Sequence, residues 1–243
     1  MIELSWRGRV AVLTLDRPDK HNALTAELCE RIRTAVASAA QARALVLTGN
    51  GRSFCSGADL DEVHTAGFRD ELYRMLHAVT AAPVPVVAAV HGAAIGAGTQ
   101  LAIAADLRVV SPAARFAVPT ARIGLAVDPW TIRRLALLAG HGAARRMLLA
   151  CDPIDADAAL ACGLADRPGD LDDALDWAAG MADLAPLTVG YTKRVLGEVF
   201  EPGLAGDVAT ELDAAFEACW ASGDFAEGRL SRAEKRPPVF RGR

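Results

Sequence analysis

The sequence HGAAIGAGTQL, residues 91 to 101, directly follows an apolar run that extends from Val84 to Val90. That run is short, rich in β-branched residues and bounded by proline and glycine, which predicts a buried strand over residues 85–90. The residues from Gln100 to Ala105 include strong helix formers. We therefore expect a strand that passes through a glycine-rich turn into a helix.

Three glycines of this turn, Gly92, Gly96 and Gly98, allow backbone shapes and close approaches that a Cβ atom would prevent. Backbone N–H groups at the start of the helix can then point at a ligand oxygen, as in an oxyanion hole. Each such donor typically stabilises a developing oxyanion by about 2.7–4 kcal/mol. A plain strand-to-helix connector remains the alternative. The spacing matches neither the dinucleotide-binding pattern G-x-G-x-x-G nor a phosphate-binding loop.

Composition narrows the class of protein. The 243 residues are enough for one large domain, or for one domain with an appendage. Hydrophobic residues make up 52% and aromatic residues only 5%, so we expect a core of Ala, Val, Leu and Ile. A net charge of −4 provides no general attraction to nucleic acid.

The sequence gives no sign of a membrane segment or a metal site. The charged start and the absence of an uncharged apolar run of about 18 residues predict a cytoplasmic protein without a membrane span. The five cysteines form no C-x-x-C pair, and no two of the five histidines have ligand spacing. We expect reduced cysteines and no metal.

The first half of the chain alternates strand and helix signals, which predicts a ββα or βαβ repeat. Thr25 has the position of an N-cap, and Leu28, Ile32 and Val36 recur with helical spacing. The predicted strands cover residues 10–15, 44–48, 106–110 and 115–118, and the predicted helices cover 26–40 and the region of Leu72, Leu76 and Val79.

The second half is mainly helical. Asp128 before Pro129 predicts a helix start, with a carboxylate N-cap and proline at the first helical position. We place the core that contains the strands in residues 1–185 and a helical region in 186–243. The predicted helices cover residues 129–139, 142–150, 155–162, 171–184, 188–199, 204–221 and 223–235.

Four separated motifs together resemble the crotonase superfamily of enoyl-CoA hydratases and isomerases over nearly the whole chain. They are Arg17-Pro18-x-x-x-Asn22-Ala23-Leu24, Phe54-Cys55-Ser56-Gly57-Ala58-Asp59-Leu60, His91-Gly92-x-x-x-Gly96-x-Gly98 and Lys235-Arg236-Pro237-Pro238-x-Phe240. The resemblance implies an α/β fold, a spiral of ββα turns with a helical C-terminal region that trimerises and often forms hexamers. It also implies an acyl-CoA thioester as substrate or ligand, with no other cofactor.

The resemblance assigns the oxyanion-hole donors to the backbone N–H groups of Ala58 and Ala97. Position 97 is usually glycine in the family, so a methyl group here narrows the pocket without removing the donor. Lys20 and the basic segment at Lys235 and Arg236 are expected to meet the coenzyme A phosphates, although the basic segment could equally be a solvated tail. The other substrate-binding positions implied are Ala23, Leu24, Ser56, Asp59, Leu60, Gly96 and Pro119.

The expected catalytic acids are absent. Hydratases of this family add water with two glutamates, and the matching positions here hold Gln100 and Thr120. A glutamine is permanently neutral, and a threonine hydroxyl titrates far outside the useful range, so neither can replace a carboxylate. In this respect the chain resembles an actinobacterial branch of the family, close to fatty-acid and mycolic-acid metabolism, that lacks both glutamates.

Two ionisable residues leave room for other chemistry. Asp128 matches a catalytic aspartate of dienoyl-CoA isomerases and the nucleophile of chlorobenzoyl-CoA dehalogenase, and His77 matches a histidine of that dehalogenase. Each also has a structural interpretation, Asp128 as an N-cap and His77 as an ordinary helix residue. The sequence thus supports two hypotheses: a fatty acyl-CoA binding protein with little hydratase activity, or a CoA-thioester enzyme that uses Asp128.

Overall fold

The computed structural model describes residues 1–39, 41–59, 62, 66–120 and 127–200, and in the C-terminal segment Gly223, Glu227, Leu230, Glu234, Arg236, Val239 and Arg241. The strands are β1 (Ile2–Arg7), β2 (Val10–Leu15), β3 (Ala44–Gly49), β4 (Val86–Val90), β5 (Ala93–Ile95), β6 (Leu107–Val110), β7 (Arg115–Ala117), β8 (Ile154–Asp155) and β9 (Arg167–Pro168). The α-helices are α1 (Ala26–Ser38), α2 (Ala66–Thr80), α3 (Ala97–Ala104), α4 (Pro129–Arg145), α5 (Ala156–Cys162), α6 (Leu171–Ala182) and α7 (Pro186–Phe200).

The strands form two sheets. The larger sheet has the order β1-β2-β3-β4-β6-β9, in which β1 pairs antiparallel with β2 and the other neighbours are parallel. The smaller sheet has the order β5-β7-β8, with β5 parallel to β7 and β8 antiparallel to it. Consecutive strands therefore alternate between the two layers at β4-β5 and at β6-β7.

This alternation makes a spiral of ββα turns. After each of β2, β3, β4 and β6 the chain crosses to the second layer as a short extended segment and then enters a helix, from α1 to α4. The crossing segments pair with one another through isolated parallel bridges, Leu24 with Ala58 and Cys55 with Ala94, and through the β5-β7 pair. The expected fold class is thereby confirmed, including the ββα repeat.

The two faces of the larger sheet pack against different helices. In β4, Val86, Ala88 and Val90 join the main core, which also contains the apolar faces of α1, α2 and α3. The alternate residues Val87 and Ala89 join a smaller core under α6, which contributes Ala174, Ala178 and Ala182. Small alanine side chains let α6 lie close to the sheet, as the low aromatic content suggested.

The structure corrects several element boundaries. Strand β5 interrupts the expected direct turn between β4 and α3, and β1, β8 and β9 had no predicted counterpart. The break expected between the helices over residues 129–139 and 142–150 is confirmed, because Gly140 inside α4 has a non-helical backbone (φ 74°, ψ 157°). The part after this break ends in a π-helical turn over Arg146–Ala150. The helix expected over residues 204–221 lies outside the described residues, as does most of the one expected over 223–235.

None of the helices in the described ranges combines the length and the apolar character that a membrane crossing needs.

One close contact fixes how the second layer meets α3. A Cβ atom added to Gly98 would lie 2.1 Å from the carbonyl oxygen of Cys55. The Cys55 backbone also donates to the carbonyl oxygen of Ala93 over 2.9 Å and accepts from the N–H of Ile95 over 3.0 Å. The Phe54–Asp59 segment is therefore pressed directly against the start of α3.

We predict that Gly98→Ala lowers the free energy of unfolding by about 1–3 kcal/mol, because backbone atoms must move to admit the methyl group. Gly142→Ala is the matched control in α4, where an added Cβ meets no atom within 4 Å. It should raise stability by about 0.5–1 kcal/mol through helix propensity. Urea denaturation of both variants checks this, and equal stability of the two would contradict the close packing.

Candidate active site

The N–H group of Ala58 is turned away from its bridge partner. In the parallel bridge with Leu24, the flanking groups make the hydrogen bonds: Leu24 N–H donates to Gly57 O over 2.8 Å, and Asp59 N–H donates to Leu24 O over 2.7 Å. Successive residues of an extended chain direct their N–H groups to opposite sides. The Ala58 N–H consequently points to the side opposite Leu24.

The N–H group of Ala97 opens helix α3 and belongs to the first turn, where N–H groups have no intrahelical acceptor. Gly96, its N-cap, has φ 54° and ψ −115° and donates its own N–H to Ala117 O over 2.8 Å. The Thr99 hydroxyl lies 2.6 Å from Ala94 O and 2.9 Å from Ala117 O, which ties the same turn to β5 and β7.

The two proposed donors are brought together by Gly57. A Cβ atom at Gly57 (φ +108°) would lie 2.7 Å from Ile95 O and 3.7 Å from Ala97 N, so the backbone just before Ala58 runs beside the start of α3. Ala97 is buried and Ala58 is half-buried. Two main-chain donors from neighbouring segments, one of them at a helix N-terminus, are the arrangement that stabilises an oxyanion.

Asn22, in the first of the four sequence motifs, fixes the shape of this region. The Asn22 side chain, fully buried, donates to Asn50 O over 2.9 Å and to Ser53 O over 2.7 Å, and it accepts from the N–H of Arg17 over 2.9 Å. It joins the loop after β2 to the loop after β3. The site residues Ala23, Leu24 and Ser56 lie on these two loops.

Asp59 forms an ion pair with Arg17. The Arg17 guanidinium donates to the Asp59 carboxylate over 2.7 Å and to Ala23 O over 3.0 Å, and the carboxylate side chain is only 12% exposed. This ion pair fixes the loop after β2 against the loop after β3. The nearby Ser56 N–H donates to His21 O over 2.9 Å, and the exposed Lys20 lies in the short 3-10 turn of the same loop.

Gln100 is buried inside α3 and held by α4. Its side chain is 3% exposed, and its Nε2 donates to the Thr131 hydroxyl oxygen over 2.7 Å. The Thr131 hydroxyl in turn donates to the Asp128 carboxylate. A hydrogen-bonded chain thus runs from the position expected to carry a catalytic acid to the start of α4.

Asp128 is the N-cap of α4. Its backbone is extended (φ −68°, ψ 160°) and its side chain accepts from Thr131 N–H over 3.4 Å, with Pro129 at the first helical position. The two contacts from Thr131 both end on Oδ1. The structural interpretation of Asp128 is therefore supported by geometry, and among the described residues the hydrogen bonds to its carboxylate use Oδ1.

Tyr73, which sequence reasoning missed, joins this network. Burial raises the pKa of Tyr73, and the Asp128 charge raises it further. Hydrogen bonds with the Asp128 backbone and the Gln100 side chain oppose the shift, as bonds donated to a phenolic oxygen do. The half-buried hydroxyl therefore adds a neutral polar group beside Gln100.

The remaining predicted residues divide into three groups. Pro119 and Thr120 are half-buried and directly follow the β7 segment that receives the Gly96 hydrogen bond. His77 is exposed on α2, in accord with an ordinary helix residue. Leu60 and Lys235 lie outside the described residues.

The basic segment near the C-terminus carries its own counter-charges. Arg236 lies 2.6 Å from one carboxylate oxygen of Glu227 and 3.0 Å from the other, and 2.6 Å from Glu234. The hydrogen bond with Arg236 is the main cause that lowers the pKa of Glu227 to about 2. Of the three basic residues expected at the phosphates, Arg236 is thus already paired with acids of its own chain.

Neither thiolate chemistry nor a metal is supported within the described residues. Burial raises the pKa of Cys55, which borders the site, to about 12, so its sulfur stays a protonated thiol. Burial likewise raises the pKa of Cys29 to about 12. In the described ranges, no group of three or more His, Cys, Asp or Glu side chains is arranged to hold a metal ion.

Comparison with known proteins shows the family of the chain. The sequence model of the enoyl-CoA hydratase/isomerase family matches residues 6–243. The chain therefore belongs to that family, within the crotonase superfamily.

Individual relatives match over all or nearly all of their length. The probable enoyl-CoA hydratase echA6 of Mycobacterium tuberculosis is 46% identical over 245 residues, covering 100% of both chains. The 2,3-dehydroadipyl-CoA hydratase of Escherichia coli is 34% identical over 251 residues, covering 99% of this chain and 98% of the relative. A crystal structure of an enoyl-CoA hydratase/carnithine racemase from Magnetospirillum magneticum superimposes with a TM-score of 0.90 at 28% identity, covering 100% of this chain and 96% of that one.

We predict that Asp128→Asn retains the stability of the parent protein within a few tenths of a kcal/mol, because an amide oxygen also caps a helix. Asp128→Ala should lose about 0.5–2 kcal/mol, since it removes the acceptor for Thr131. Chemical denaturation of both variants measures the difference. Equal losses in the two variants would show that the charge of Asp128, and not its capping oxygen, supports the fold.

Proposed function

We propose that this protein binds fatty acyl-CoA thioesters and polarises their carbonyl group, with little or no hydratase activity. The observation that carries the proposal is Gln100, buried in the oxyanion-hole helix with its side-chain nitrogen bound to Thr131. Family membership and relatives that include a 2,3-dehydroadipyl-CoA hydratase support an acyl-CoA ligand.

The chemistry of hydration explains why Gln100 matters. Adding water to an enoyl thioester requires a group that accepts a proton from the water and a group that supplies one to the carbon chain. A neutral amide does neither near pH 7. Thr120, the residue at the second expected acid position, has a hydroxyl group with the same limitation.

The parts needed for binding remain. The N–H groups of Ala58 and Ala97 supply two donors for the thioester oxygen, and the loops joined by Asn22 and the Arg17–Asp59 pair supply a wall beside them. For the coenzyme A phosphates we propose Lys20 and Lys235. The pairing of Arg236 with Glu227 favours a structural role for that residue.

A homotrimer or hexamer is part of the proposal. Helix α4 and the π-helical turn after it expose large apolar side chains, with Ile132 at 45%, Leu137 at 48% and Leu149 at 74% of their possible surface. Burial of such side chains against further copies of the chain would stabilise an assembly.

The test measures binding and turnover in parallel with a panel of saturated and enoyl-CoA esters. We predict measurable affinity for fatty acyl-CoA together with hydration of crotonyl-CoA far below that of a homologue with two glutamates. Affinity is measured by calorimetry, and turnover by the loss of the enoyl-thioester absorbance. Turnover within about tenfold of a common enzyme rate of 10 s⁻¹ would refute the claim of low hydratase activity. Absence of acyl-CoA binding would refute the claim that the protein binds these thioesters.

The second candidate function is a CoA-thioester enzyme that uses Asp128 as nucleophile or base. The observation in its favour is that both contacts from Thr131 fall on Oδ1, while the Asp128 charge is close enough to Tyr73 to raise the pKa of that side chain. This candidate predicts that Asp128→Asn folds normally and loses more than about a hundredfold in any turnover, or roughly 2.7 kcal/mol of transition-state stabilisation. The binding proposal instead predicts only a few-fold change in that variant.

A further inference from the structure

Helix α3 is a short helix that lies inside the protein core. It has eight residues, all of them buried, and it ends abruptly at Ala105, whose backbone is extended (φ −65°, ψ 158°). The last four carbonyl groups of an α-helix have no intrahelical donor. In a buried helix these carbonyl groups need partners from elsewhere in the chain, because an unpaired buried acceptor is costly.

Two arginines supply partners for the carbonyl groups of Ala102, Ile103 and Ala105. The Arg108 guanidinium lies 3.1 Å from Ala105 O and 3.5 Å from Ala102 O, and its side chain is 1% exposed. Arg134 of α4 donates through Nε to Ile103 O and through Nη2 to Ala105 O over 3.2 Å. Two positive groups therefore cap the negative end of the helix whose positive end carries the Ala97 N–H.

Helix α4 holds α3 at two levels. Thr131 contacts Gln100 in the middle of α3, and Arg134 contacts Ile103 near its C-terminus. The contacting residues are three apart on each helix, so both contacts fall along one line between the helices. Two such ties restrict the rotation of α3 about its axis as well as its sliding along it.

We propose that Arg134 is a positioning residue for the oxyanion hole: together with Thr131 and Arg108 it holds α3 so that the Ala97 N–H meets the thioester oxygen. This inference rests on the proposed binding of an acyl-CoA. An eight-residue helix is about 12 Å long, so the charge of Arg134 at its C-terminus also offsets the negative potential that opposes its positive end at the site. Arg108 is paired with Asp166 over 3.1 Å and contributes mainly its hydrogen bonds. Gln100 links α3 to α4 through its hydrogen bond with Thr131.

The experiment uses the full-length protein and octanoyl-CoA labelled with ¹³C at the thioester carbonyl. Infrared difference spectra report the carbonyl stretching frequency, which falls when the oxygen accepts strong hydrogen bonds. We expect a red shift on the parent protein, a shift reduced to about half or less in Arg134→Met, and partial recovery in Arg134→Lys, which restores the charge without the planar fork. Arg145→Met, which removes an exposed charge from the same helix, is the matched control and should keep the full shift.

Each outcome is decisive. A folded Arg134→Met protein that binds octanoyl-CoA with the full red shift overturns the positioning role of Arg134 while leaving the proposed function intact. A parent protein that binds without any shift overturns both. If Arg134→Met does not fold, the pair Thr131→Val and Thr131→Ser decides by the same spectrum: a smaller shift in the valine variant alone supports the role of the link between α3 and α4, and full shifts in both overturn it.

Discussion

The backbone of Cys55 lies against Gly98 with no room for a side-chain carbon between them. This contact joins the segment that carries Ala58 to the helix that carries Ala97, and the two belong to consecutive turns of the spiral. If an ordinary side chain separated the two turns, the Ala58 and Ala97 N–H groups would lie too far apart for the oxyanion hole that we propose. The geometry of the site therefore follows from how closely two layers of backbone can pack.

The polar residues around this contact are arranged for rigidity. Gln100 and Thr131 form a buried hydrogen bond at 2.7 Å, and Asp128 accepts from Thr131 at the start of α4. Buried hydrogen bonds of this kind specify one arrangement because breaking them leaves a desolvated polar group. The groups beside the proposed thioester site are mostly amides and hydroxyls, which suits holding a carbonyl better than moving protons.

Local chemistry in the sequence predicted the parts of the structure that depend on neighbours in the chain. Thr25 and Asp128 are N-caps, as their position before helical periodicity indicated, and the strands after residues 9, 43 and 85 were expected from β-branched runs. Motif resemblance added the fold, which the structure confirms, and the oxyanion-hole positions, which stay a prediction. The short strands β5, β8 and β9, of two or three residues, have too few side chains to show a period.

Tyr73, Thr131 and Arg134 could not be found in the same way. Thr131 lies 31 positions from Gln100, and so does Arg134 from Ile103, so these pairs exist only because α4 packs across α3. A threonine three residues after an N-cap is unremarkable in sequence. Its importance depends on which helix its hydroxyl meets, and that is a property of the tertiary fold.

The most direct test of the central claim is a crystal structure of the protein with octanoyl-CoA. The account predicts the thioester oxygen at about 2.7–3.1 Å from both the Ala58 and Ala97 nitrogens, with the thioester unmodified and Gln100 still bonded to Thr131. A thioester oxygen placed away from these two nitrogens, or an acyl group transferred to Asp128, would contradict it.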